Sequence, residues 1–111
     1  DFLHVQDVAD AFVALLRSDV SGAVNIASGR AVSIKEMVGR IAEVVGRPAT
    51  IEWGALPAPE DDPPVLVADV KRLTDTVGWR PRYDLDSGLK QTIEWWRNEI
   101  DNRHGDRDAH L

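Results

Sequence analysis

The sequence predicts an α/β domain, or its α+β variant, with about four helices and three or four short strands. Three observations carry this expectation. Apolar residues switch between short strand-like runs and longer stretches at helical spacing. Residues suited to helix caps stand before the helical stretches. Gly, Pro and Asp clusters separate one segment from the next. With 111 residues, 43% of them hydrophobic, the chain suffices for one core and is too short for two ordinary domains.

The first segment, DFLHVQDVADAF, reads as a strand (Phe2, Leu3, Val5) running into a helix from about Gln6 to Arg17, with Val8, Phe12, Leu15 and Leu16 at helical spacing. SDVSG is turn material, and AVNIA reads as a short buried strand, with Asn25 stabilising the turn after it. Ser33 stands three residues before Glu36, the pattern in which each side chain serves a free backbone N–H, so a helix is expected from Ile34. Its stripe is Ile34, Met37, Val38, Ile41, Val44 and Val45, and Gly46 followed by Pro48 stops it. ATIEW reads as another strand. Between Gly54 and Pro64 lie four of the six prolines, which excludes both helix and central strand.

VLVAD adds an extended run, and Asp69 can cap a brief helix carrying Val70, Leu73 and Val77 that Gly78 ends. After GWRPRYD, Asp84 can cap a last helix with Leu85, Leu89, Ile93, Trp96 and Ile100 on one face. Residues 1–96 thus form the domain. Residues 97–111 hold the end of the last helix and a charged tail expected to fray. Trp53, Trp79, Trp95 and Trp96 could offer a stacking surface for a base or sugar, but large aromatics at strand ends and on an apolar stripe usually pack inside, so Trp79 and Trp96 are expected in the core; Trp95 lies off the stripe and is expected partly exposed.

A formal net charge of −6 argues against non-specific binding to nucleic acid or to an anionic membrane, both of which require a surplus of Lys and Arg. The absence of Cys rules out disulfides, thiolate nucleophiles and Cys-based metal sites, and is compatible with a reducing cytoplasm. No apolar run approaches the ~20 residues that span a bilayer. A soluble, cytoplasmic protein is expected.

Neither a GxGxxG nor a TGxxGxxG turn occurs, so the sequence offers no self-sufficient site for a dinucleotide. Tyr83, the single Tyr, is followed four residues later by Ser87 rather than Lys, which leaves no Tyr-x-x-x-Lys acid/base pair. His4, Asp7 and Ser28 are the types of a nucleophilic triad, but their co-occurrence says nothing of geometry. The plainer expectation is that Asp7 favours a helix N-terminus and that His4 is a satisfied residue at a strand end. His104 and His110 fall in the tail, where exposed and idle side chains are expected rather than a metal site.

Four segments in series, DFLHVQDVADAF, GAVNIASGRAVSIKEM, LVADVKRLTDTVGWRP and LDSGLKQTIEWW, resemble the C-terminal part of extended short-chain dehydrogenase/reductases, the NAD-dependent nucleotide-sugar epimerase/dehydratase family. The resemblance covers nearly all of residues 1–96. It implies a substrate-binding lobe normally appended to a Rossmann domain that carries the Gly-rich turn and the Tyr/Lys pair. That N-terminal domain is missing here, and Asp1 looks like the second residue of an R-D-F-x-H-V motif cut just after its Arg. The resemblance further implies that Phe2 lies near the substrate nucleotide, that Val32, Ser33 and Ile34 help wall the base, and that Asp62 matches an acidic residue reaching a ribose or diphosphate. Each has an equally direct structural explanation as an apolar core residue, a helix cap or a loop charge. Pro59 stands where the family often carries an Arg.

On this resemblance the chain is the substrate lobe of an NAD(P)-dependent sugar-nucleotide epimerase or dehydratase. It has no catalytic residue or metal site of its own, and NAD or NADP is bound by the whole protein rather than by this chain. The partners implied are a sugar nucleotide and the Rossmann domain, with no nucleic acid and no membrane; apolar surface left where that domain would pack predicts self-association into a homo-oligomer. The alternative is a stand-alone binding or regulatory module derived from that lobe.

Overall fold

Two helices, those after Ser33 and Asp84, start where the sequence places a capping residue. The computed structural model describes residues 1–47 and 50–108, with side chains as far as residue 105. Helix α1 spans Val5–Arg17, and the Nδ1 atom of His4 accepts the Gln6 N–H at its start. Helix α2 spans Ile34–Val45; Ser33 Oγ accepts the Glu36 N–H at 3.0 Å, and Gly46, at φ 82°, closes the end. A six-residue π-type helix, Arg72–Val77, ends at Gly78, where the Trp79 N–H returns to the Leu73 carbonyl. Asp69 serves its approach by accepting the Lys71 N–H.

Helix α3 runs over Leu85–Asp108. Asp84 and Ser87 cap it reciprocally, each backbone N–H donating to the other's side chain, at 3.1 and 2.8 Å. The helical backbone runs to Asp108. Pro48, the Ala49 that opens the ATIEW segment, and His110 lie outside the described residues. Residues 54–64 form the expected loop, exposed throughout.

The expected α/β class is overturned: the molecule is helical, and no strand occurs among the described residues. The physical reason lies in what satisfies the backbone. A strand exists only when its N–H and C=O groups meet a ladder partner, and the short extended runs here meet side chains instead. The Arg72 guanidinium takes the carbonyls of Ser21 and Ala23, at 2.8 and 2.6 Å. Asn25 donates to the Asp69 carbonyl across 44 positions rather than to its own turn. The Asp1 carboxylate accepts from the N–H groups of Ser28, Gly29 and Ala68.

Helix α2 packs against α3, and α1 against the π-type helix. Among the described residues the buried apolar side chains are Ala11, Met37, Ala42 and Leu73. Trp96, expected in the core, is 52% exposed and meets Trp95 edge to face with centroids 4.8 Å apart. Trp53 is also half exposed, with the Lys35 ammonium 5.9 Å from its ring. Trp79 is half-buried.

Candidate functional site

Three segments enclose one cavity: the extended start of the chain, the Ser28–Val32 turn with α2, and the Pro81–Leu85 turn leading into α3. Its volume is about 530 Å³, within the range of small-molecule sites. Phe2, Leu3, Val32, Met37, Ile41 and Leu89 supply apolar wall; Ser28, Arg30, His4, Tyr83, Asp84 and Thr92 supply polar groups.

Buried Asp7 fixes one wall. Its side chain has no solvent exposure, and its two carboxylate oxygens accept the N–H groups of Arg82 and Tyr83, each at 3.0 Å. A carboxylate on α1 thereby holds the turn that delivers Tyr83 and α3. The Tyr83 ring stacks on His4, centroids 4.1 Å apart. Because His4 Nδ1 accepts the Gln6 N–H, its proton belongs on Nε2, which donates to Gln91 Oε1 at 2.6 Å. Both ring nitrogens are therefore occupied by structural bonds.

Asp1 fixes the opposite wall. Besides its backbone donors, its Oδ1 accepts the Ser28 hydroxyl at 2.5 Å, and Ser28 Oγ in turn accepts the Arg30 N–H at 3.1 Å. Gly29, at φ 71°, is required here: a Cβ would lie 2.6 Å from Val70 Cγ2. The carboxyl of Asp84, an exposed residue on the cavity's wall, is held below the usual carboxylate range, chiefly by the Ser87 backbone N–H and then by the Ser87 hydroxyl, with a smaller contribution from the Arg30 charge.

The five residues implied by the resemblance are not brought together. Phe2 and Val32 line the cavity. Ser33 is the α2 cap and borders a separate open concavity with Lys35, Arg40 and Trp53. Ile34 is 68% exposed and lines neither. Asp62 lies in the exposed loop, its N–H bonded to the Pro59 carbonyl. No triad is assembled either: His4 meets Gln91 and Gln6, Asp7 meets Arg82 and Tyr83, and Ser28 meets Asp1.

Sequence reasoning missed Asp1, Asp7 and Arg30 as parts of this site. Asp7 and Asp1 act across 75 and 67 positions respectively, which local spacing cannot reveal. For Arg30 a signal was available: a cation directly after a Ser-Gly turn and just before a helix cap.

Among the described residues no group of His, Asp and Glu is arranged to hold a metal ion, and no helix is long and apolar enough to cross a membrane. Among the described residues no glycine of positive φ stands directly before a helix.

No family model matches the chain. Individual relatives do. UDP-glucose 4-epimerase of Rhizobium leguminosarum bv. trifolii is 36% identical over 99 residues, which cover 86% of this chain and 30% of the relative. GDP-L-fucose synthase 1 of Arabidopsis thaliana is 38% identical over 104 residues, covering 93% and 31%. UDP-glucuronic acid decarboxylase 1 of Xenopus tropicalis is 31% identical over 102 residues, covering 92% and 24%. The chain thus spans about 30% of the length of such relatives and matches their C-terminal region. With matches to an epimerase, a synthase and a decarboxylase of nucleotide sugars across nearly all of its length, the chain belongs to the extended short-chain dehydrogenase/reductase family.

Proposed function

We propose that this chain is the substrate-binding lobe of a nucleotide-sugar epimerase or dehydratase, and that its cavity receives part of the sugar nucleotide. One observation carries the reading: Phe2 and Val32, both placed at the substrate by resemblance, line the same cavity of about 530 Å³. Apolar side chains on its walls suit the face of a base or sugar ring, and the polar groups at its edge suit hydroxyls and phosphates. Ser33, Ile34 and Asp62 belong to the proposal more loosely. Ser33 would act through the start of α2, while Ile34 and Asp62 would reach a ligand only where it extends beyond the cavity.

NAD(P) and the residues that move hydride and protons belong, on this proposal, to the remainder of the family's length. The lobe contributes binding and orientation, and such contributions raise a rate only by bringing reacting atoms into register. A domain of this kind can be folded and still hold an incomplete site.

Calorimetry tests the division of labour. The chain alone is expected to give no heat with NAD or NADP, and the whole protein is expected to bind one of them. In the whole protein, Phe2→Ala is expected to weaken UDP or GDP binding about tenfold, the loss of a large apolar contact. Tight coenzyme binding by the chain alone would overturn the proposal.

A further inference from the structure

Two arginines line the cavity, Arg30 and Arg82. They are not equivalent. Arg82 is committed to α1: its guanidinium donates to Asp10 at 2.8 Å, and its backbone N–H donates to Asp7. Arg30 has no hydrogen-bonded or ion-paired side-chain partner among the described residues, although it lies near enough to Asp84 to contribute to that carboxyl's lowered pKa. Asp84 meanwhile directs its Oδ1 to the Ser87 N–H.

The backbone beneath Arg30 is built rather than loose. Asp1 holds the Ser28 hydroxyl and the N–H groups of Ser28 and Gly29, and Ser28 holds the N–H of Arg30. Gly29 lies so close to Val70 that no larger residue fits without displacement. A cation is thereby presented at the edge of an apolar cavity with its main chain fixed and its donors unspent. Guanidinium pairs with phosphate through two parallel N–H bonds, and a fixed backbone lessens the ordering cost of such a contact.

We propose that Arg30 anchors the diphosphate of a sugar nucleotide at the mouth of this cavity. The proposal rests on the lobe reading above and adds to it the residue that supplies charge. It also accounts for how a chain of net charge −6 can hold a dianionic group: one cation, held by a pinned turn, acts locally where the overall charge does not.

The test is calorimetry on the whole protein with UDP, GDP and the matching nucleosides, comparing wild type, Arg30→Gln and Arg30→Lys. Arg30 is exposed, so neither variant is expected to disturb folding. Arg30→Gln should weaken the preferred nucleoside diphosphate about tenfold to a hundredfold, leave its nucleoside unchanged, and flatten the salt dependence of binding. Arg30→Lys should restore part of the loss. Wild-type diphosphate affinity in Arg30→Gln, or an equal loss for the nucleoside, overturns the role of Arg30 and leaves the lobe reading standing. Failure of the wild-type protein to bind either diphosphate overturns both.

Discussion

At the scale of single residues, the site depends on carboxylates that bond backbone N–H groups, Asp7 over a long sequence separation and Asp84 within one helical turn. Asp7 is fully buried and binds two backbone N–H groups of the turn before α3. Asp7→Ala would leave both donors without their acceptor, and is expected to cost about 3 kcal/mol of stability, read as a lower urea midpoint. Asp84 makes a different prediction. Its carboxyl is held below the usual range by the Ser87 N–H and hydroxyl, so the folded state favours the charged form. Its stabilising contribution is complete above the carboxyl's unfolded pKa and is lost as pH falls through the folded one. Between about pH 5 and pH 2, wild type should therefore lose stability more steeply than Asp84→Asn; parallel curves would remove Asp84 from the cap. The cap role of Asp84 is legible in the sequence because its partner, the Ser87 N–H, is three residues away, whereas the backbone partners of Asp7 lie 75 and 76 positions away.

At the scale of elements, the helices were legible because their signals are local. Ser33, three residues before Glu36, predicts the start of α2, and the Ser33 hydroxyl meets the Glu36 N–H at 3.0 Å. Ser33→Ala should cost about 1 kcal/mol, and Ser33→Asp should restore most of it; the measurement is again the urea midpoint, with helical circular dichroism as a second readout. The strands were misjudged for a physical reason. AVNIA and VLVAD have the composition of strands, but composition cannot supply a neighbouring strand, and here Arg72, Asn25 and Asp1 take the backbone groups that a ladder would use. In α3 the apolar period is lost after Arg97, while the helical backbone runs to Asp108, since intrahelical hydrogen bonds form without an apolar stripe. The stripe decides packing, and Trp96 and Ile100 remain half exposed.

At the scale of the whole molecule, the chain is extended and its core is thin. The radius of gyration is 18.1 Å, against about 13 Å for a compact domain of this length. Three large apolar residues of α1, Val5, Phe12 and Leu16, share a face without cover, Leu16 being 85% exposed. Surfaces of this kind associate when no partner covers them. The chain alone is therefore expected to self-associate, with a sedimentation coefficient that rises with concentration, and Phe12→Asp with Leu16→Asp should return it toward monomer. A single concentration-independent monomer would contradict this.

The sequence by itself determined the family, through four motifs in series, and the starts of α2 and α3, through side chains that bond N–H groups three residues away. Tertiary structure alone decided the class of the fold and the make-up of the cavity. Both depend on partners dozens of residues distant: whether an extended run meets another strand or a side chain, and which of two arginines already has a carboxylate to bind.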